Sequence, residues 1–324
     1  MARLCLWGGG RAARAPLYNC CNATSPGRLP GHPPSEPMSP FVVLQHLLPK
    51  RALTELAGRV ARAEGGWMTQ ALIARFIRRY QVNMAEAAQA DIRQYRSFNE
   101  FFTRALRPGA RPLADADFVC PVDGAISQFG AIARDQIFQA KGHHYSTRAL
   151  VGGDAGLAAR FDDGAFATIY LSPRDYHRIH MPCEGRLRRM IHVPGELFSV
   201  NPVTAQGVPG LFARNERVVC VFDVPHGTGS DVRPFVLVLV GATIVGSMAT
   251  TWHGVVNPPR PGRIREWTYD DGQPQVLAQG AEMGRFLLGS TVVMLWPRDT
   301  IRFNTDWAPA RPVRLGEAMG DALP

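Results

Sequence analysis

The chain has 324 residues, 46% of them apolar and 19% charged, and carries a formal charge of +9. That balance excludes a disordered chain and leaves room for one large domain or two small ones. The basic surplus predicts an anionic partner, nucleic acid or an anionic membrane surface. The six Cys contain no C-x-x-C pair, which argues against a zinc ribbon or a redox motif and for reduced thiols in a cytosol-facing protein.

Residues 1–37 are rich in Gly, Pro and Arg, poor in acid and without helical or strand period. They lack the apolar core of a secretory signal and read as a disordered extension, or as sequence ahead of the true start. From Phe41 the pattern turns helical. Phe41, Val42, Leu44, Leu47 and Leu48 lead to Pro49, then Leu53, Leu56 and Val60 follow among Arg51, Arg59 and Arg62. Gly65-Gly66 breaks the run before a second helix carrying Trp67, Leu72, Ile73, Phe76, Ile77 and Tyr80, with Arg75, Arg78 and Arg79 between them. Such helices either pack on a core or lie in a membrane interface, apolar face in the acyl boundary and cations on the headgroups. A third helix is expected over 84–107, with Phe98, Phe101, Phe102 and Leu106 as a core stripe.

Beyond Pro108 and Pro112 the pattern is mainly β. Strands are expected at 118–120, 166–171, 218–224, 235–245 and 291–296, with Gly or Pro recurring between them. No apolar run reaches the roughly 18 to 20 residues of a spanning helix. Neither a βαβ alternation nor a Gly-rich phosphate loop is present, which argues against a doubly wound nucleotide fold. The chain therefore reads as α+β, with helices over residues 38–107 and a β-rich domain over 108–324.

Four stretches carry groups that could do chemistry. Asp123 lies in the turn Pro121-Val122-Asp123-Gly124, a position that by itself suits a simple turn. Lys141-Gly142-His143-His144 is polar and loop-like. His177 and His180 stand three apart in Tyr170-Leu171-Ser172-Pro173-Arg174-Asp175-Tyr176-His177-Arg178-Ile179-His180, sharing a face if helical and pointing apart if extended. Without a third ligand at suitable spacing they do not predict a metal. Last comes Gly289-Ser290-Thr291, which opens an apolar run. An Asp, a His that titrates near neutrality and a Ser after Gly are the parts of an activated nucleophile. A Gly-x-Ser-x-Gly elbow is missing, so a hydrolase triad has no local support.

Taken together, several of these stretches resemble the phosphatidylserine decarboxylases of the bacterial type. The resemblance runs through Asp123 and its turn, Gln139 to His143, Leu171 to Cys183, Val193-Pro194-Gly195-Glu196-Leu197-Phe198-Ser199-Val200-Asn201, Leu211 to Arg217, and Glu282 to Thr291. It covers the chain from about Met38 onward, and residues 1–37 have no counterpart in the family pattern.

The resemblance implies an enzyme that makes its own cofactor by cutting its backbone between Gly289 and Ser290. His180, oriented by Asp123, would deprotonate Ser290 Oγ, which attacks the Gly289 carbonyl and turns amide into ester. β-Elimination frees the Gly289 carboxylate, and tautomerisation with loss of ammonia leaves a pyruvoyl group at position 290. The products would be a β chain of residues 38–289 and an α chain of 290–324, associated as a heterodimer, with or without further dimerisation. The headgroup amine of phosphatidylserine would form a Schiff base with the pyruvoyl ketone, an electron sink beside the departing carboxylate. Phosphatidylethanolamine and CO2 are the implied products. His177 is the expected acid or substrate contact at that stage, and His144 a secondary contact. On this reading the basic helices dock on an anionic membrane from its cytoplasmic side, and nucleic acid is not the partner. Two rivals stand beside it: a lipid-binding module with an inert Ser290, and a pyruvoyl enzyme acting on a soluble amino acid.

Overall fold

The computed structural model describes Gln45 and residues 49–225, 231–243, 247–269, 272, 274–289 and 291–324, all within the unit Met38–Pro324. The start of the first helical pattern, residues 41–44 and 46–48, lies outside the described residues, as do residues 1–37 and Ser290.

Two helices lead: α1, Lys50–Arg62, and α2, Trp67–Tyr80. The expected long helix over 84–107 is instead two 3-10 turns, Met84–Glu86 and Ile92–Gln94, and a five-residue helix α3, Phe98–Phe102. Side-chain oxygens explain the break. Asn83, Asp91 and Ser97 each accept a backbone N–H two or three residues on, so three new turns start where one helix would have continued. The aromatic stripe is core as expected: Phe98, Phe101 and Phe102 are buried with Ile73, Val82 and Tyr95 in a cluster that also receives Leu288.

The β region is built on a nine-stranded antiparallel sheet. In chain order its strands and their neighbours are β1 Gly124–Ala131, β2 Ala165–Tyr170, β3 Arg178–His180, β4 Gly185–Val193, β5 Arg217–Pro225, β6 Val232–Val240, β7 Met248–Thr250, β8 Gly254–Asn257, β9 Arg265–Thr268, β10 Gln275–Leu277, β11 Glu282–Phe286, β12 Thr291–Trp296 and β13 Pro312–Val313. The large sheet runs β9-β4-β5-β6-β12-β2-β1-β13, with β10 also pairing β4. A smaller sheet runs β8-β7-β11-β3.

The central strands explain the unbroken apolar runs. Along β12, Val292, Met294 and Trp296 enter one core cluster while Val293 and Leu295 enter another. Successive side chains leave a strand on opposite faces, so a strand covered on both sides must be apolar throughout. The sheet is therefore the middle layer between two cores. The strand expected over 235–245 stops at Val240, where the backbone leaves the ladder beside Gly241.

Candidate active site

The register of β12 sets the location. Thr291 lies opposite Tyr170 on one side and Val240 on the other, so the Gly289–Ser290 junction sits at the end of the sheet's central strand. The chain reaches it from β11, whose end is held by a hydrogen bond from Phe286 N–H to the His177 carbonyl (3.0 Å). β11 also pairs with β3, the strand that carries His180.

His177 faces this junction. Its ring is fully buried and lies against Phe102 with centroids 4.1 Å apart. Nδ1 is 2.8 Å from the Asp175 carbonyl, which can only accept, so Nδ1 carries the proton and Nε2 a lone pair. Nε2 is buried without a partner among the described residues. A methyl group placed on Gly289 would lie 2.8 Å from that Nε2, so the close approach requires glycine. Burial, with the Arg104 guanidinium adding to it, pushes the His177 pKa down to about 3.

His180 has different partners, in keeping with its place on the other side of an extended segment. Its Nδ1 donates to the Gly280 carbonyl (2.7 Å), and its Nε2 accepts from the Tyr176 hydroxyl (3.0 Å). Burial lowers its pKa, opposed in part by the Gly280 bond. Asp123 is engaged by other groups. Arg111 donates to both carboxylate oxygens, at 2.9 and 2.5 Å, and Leu315 N–H donates to Oδ1 at 2.9 Å. Arg111 also reaches Glu86 at 2.7 Å. The groups that fix the His180 ring in this structure are thus Gly280 and Tyr176, with Asp123 acting on it through space. His144 lies apart, exposed on a β-hairpin with Nδ1 3.1 Å from the Gly142 carbonyl and its ring against Phe138.

Three residues beyond the expected set shape the surroundings. Arg104 is 5% exposed, donates to the Arg174 carbonyl (3.2 Å), and leaves Nε and Nη1 without partners among the described residues. Burial pulls its pKa down. Tyr176 holds His180, and Phe102 holds His177. Tyr176 stood inside a stretch already singled out, but Arg104 and Phe102 are separated by some 70 residues from what they touch and carried no local signal.

An apolar cleft of about 240 Å3 opens beside the junction, bounded by Phe76 and Tyr80 of α2, Phe102, Tyr170, Leu288 and Gly289. Ser199, Asn201 and Thr243 give it a polar side. A pyruvoyl group at position 290 fits this setting. The cleft has room for a ligand beside it, and the Nε2 lone pair of His177, unpartnered among the described residues, can accept from an N–H or O–H group brought next to Gly289.

Comparison with known proteins bears on the same residues. A family model described as phosphatidylserine decarboxylase matches residues 98–321, and a second, described as PSD, matches 40–81. A phosphatidylserine decarboxylase proenzyme of Methylibium petroleiphilum is 73% identical over 281 residues, covering 87% of this chain and 97% of the relative. The proteins of the same name from Polaromonas sp. and Variovorax paradoxus are 70% and 72% identical over 86% of this chain, covering 97% and 96% of their own lengths. With matches that run from the leading helices through the Gly289 junction to the last strands, the chain belongs to the phosphatidylserine decarboxylase family.

Proposed function

We propose that the chain is a self-processing decarboxylase of phosphatidylserine that works docked on an anionic membrane. The observation that carries this reading is the buried Nε2 of His177, unpartnered among the described residues and so close to Gly289, a lining residue of the apolar cleft, that no Cβ would fit between them. A neutral imidazole in that place is a proton acceptor for a donor that reacts beside Gly289.

Processing begins when the Ser290 hydroxyl loses its proton and attacks the Gly289 carbonyl carbon, breaking the amide as the ester forms. His180 is assigned the proton transfer. Its tautomer suits the task, because Nδ1–H is committed to Gly280 and the lone pair is on Nε2. Tyr176 O–H occupies that lone pair, so the hydroxyl must swing away or pass a proton along. Asp123, held by Arg111, biases the imidazolium electrostatically. β-Elimination then releases the Gly289 carboxylate, and water displaces ammonia from the new terminus of the small fragment.

The pyruvoyl ketone at position 290 supplies a sink for the electrons left when the substrate carboxylate departs. His177 is assigned to the substrate stage. Being neutral, it takes a proton from the bound amine or returns one only after receiving it from the reacting centre. Phe102 and, from α2, Phe76 and Tyr80 form the apolar wall that excludes water from the cleft.

Membrane docking is supported by the way the helices are turned. On α1 the buried residues are the small Thr54, Gly58 and Ala61, while Leu56 and Val60 are 58% and 53% exposed. On α2, Trp67 and Met68 are 78% and 60% exposed. Leu56 and Val60 of α1 and Trp67 and Met68 at the start of α2 face outward with Arg51, Arg59, Arg75 and Arg78 nearby, the arrangement of an interfacial surface, while Ile73, Phe76 and Ile77 of α2 pack on the aromatic cluster. Among the described residues no helix is long and apolar enough to cross a membrane.

The test is the intact mass of the purified protein beside Ser290→Ala, with CO2 release from phosphatidylserine in mixed micelles. Two fragments split at Gly289–Ser290, a single Ser290→Ala chain, and CO2 from the wild type alone are expected. A wild type that stays whole and inactive after incubation with membranes overturns the proposal in favour of a lipid-binding module.

A further inference from the structure

A second cleft, of about 310 Å3, lies between α1 and the segment that carries Pro258, Pro259 and Arg260, and shares no lining residue with the cleft at Gly289. Its charge comes from Arg59, Arg62 and Arg260, with Glu55 as the one acidic side chain in its lining. Arg260 is fixed from behind: its Nε donates to Glu216 Oε2 (2.8 Å), and Glu216 is itself 2% exposed and bonded to His192 (2.9 Å). Arg260 Nη2 is buried and has no partner among the described residues. Arg59 and Arg62 project from the last turn of α1 and pair with no carboxylate among the described residues. The Arg62 guanidinium folds back over Gly58, where a methyl group would come within 3.2 Å of it. Ser247 adds a hydroxyl and Thr54 forms part of the wall. Three guanidinium groups converging on a roomy polar cleft, one of them braced by a buried carboxylate, match the planar, multidentate recognition of phosphate.

We propose that this cleft is a second anion site, which takes a phosphate group, carried either by a lipid headgroup that is not undergoing reaction or by a small phosphate ion or ester. Arg59 and Arg62 reach it from the face of α1 that also carries Thr54, Glu55 and Gly58, so the phosphate is held on the side of the helix away from Leu56 and Val60. The site does not rest on the docking reading above, and its test is a binding measurement independent of catalysis.

The experiment titrates the full-length protein with dihexanoyl phosphatidylglycerol below its micellar concentration, where no charged surface exists to attract basic residues in general. Glycerol 3-phosphate and inorganic phosphate are run in parallel. Saturable calorimetric binding of the lipid is expected, weakened about tenfold or more in the Arg59→Gln/Arg62→Gln double variant. Arg75→Gln/Arg78→Gln removes equal charge from exposed positions on α2 and should change the affinity by less than about twofold. Arg260 is left intact because its loss would strand the buried Glu216 carboxylate. Unchanged affinity in Arg59→Gln/Arg62→Gln, or equal losses in both double variants, overturns the site. Tighter binding of the lipid than of inorganic phosphate assigns the site to a headgroup, and inorganic phosphate binding as tightly or more tightly assigns it to the small ion.

Discussion

His177 and His180 are three residues apart and separated in environment, which follows from the extended backbone that carries them. One ring is buried against Phe102 with an Nε2 that has no partner among the described residues, and the other is tied at both nitrogens. His177→Ala is therefore expected to cut normally but to lose at least about 100-fold in decarboxylation, and His180→Ala to remain uncut, both read by intact mass and CO2 release. If both variants stay whole, the two rings do not divide the work as proposed. The depressed pKa of His177 has a stability consequence with a definite sign. Below an unfolded value near 6.5 the unfolded chain binds a proton that the native ring refuses, so native stability declines as pH falls toward about 3. In a Ser290→Ala background, the difference in unfolding free energy between His177 and His177→Gln should fall by about 1.4 kcal/mol per pH unit between about pH 6 and 4. Arg111 offers a simpler case. It is 8% exposed and binds both Asp123 and Glu86, so Arg111→Gln leaves a mostly buried carboxylate under-partnered and should cost about 3 kcal/mol in denaturant unfolding. The sequence motifs named Asp123, His177 and His180, because the types of group and their local neighbours were visible. Their actual partners, Arg111, Leu315, Gly280, Tyr176 and Phe102, come mostly from distant segments, and no spacing rule reaches across that separation.

The strands were legible wherever both faces are covered, because continuous apolar runs such as 218–222 and 292–296 have few other uses in a folded chain. The region 84–107 was not, since helical periodicity said nothing about Asn83, Asp91 and Ser97 drawing backbone N–H groups into separate turns. α1 and α2 show a different gap. Their amphipathic period was plain, yet period alone cannot say whether the apolar stripe faces the core or the outside. The structure turns Leu56, Val60, Trp67 and Met68 outward. Leu56→Glu with Trp67→Glu should consequently weaken flotation with anionic vesicles by about 100-fold while leaving the unfolding midpoint nearly unchanged, since Leu56 and Trp67 are 58% and 78% exposed. Equal loss of folding stability would mean that these faces are covered by protein after all.

For the whole molecule, the decisive feature is that β12 lies between β6 and β2, bonded to both and buried along its length. A cut at Gly289–Ser290 leaves a small fragment of residues 290–324 that holds this central place. The cut protein is expected to elute as one species in size exclusion and to separate only in denaturant. On dilution from denaturant it should recover in a concentration-dependent way, whereas uncut Ser290→Ala recovers independently of concentration, because only the intact chain brings the middle strand to its slot by loop closure. A dissociable cofactor can be washed out, replaced from a pool or handed to another molecule. On the proposed function, a cofactor made from the residue just ahead of a locked central strand could do none of these things. Each molecule would be armed once and keep its reactive group for life, so any loss of that ketone would be made good only by synthesising and cutting a new chain.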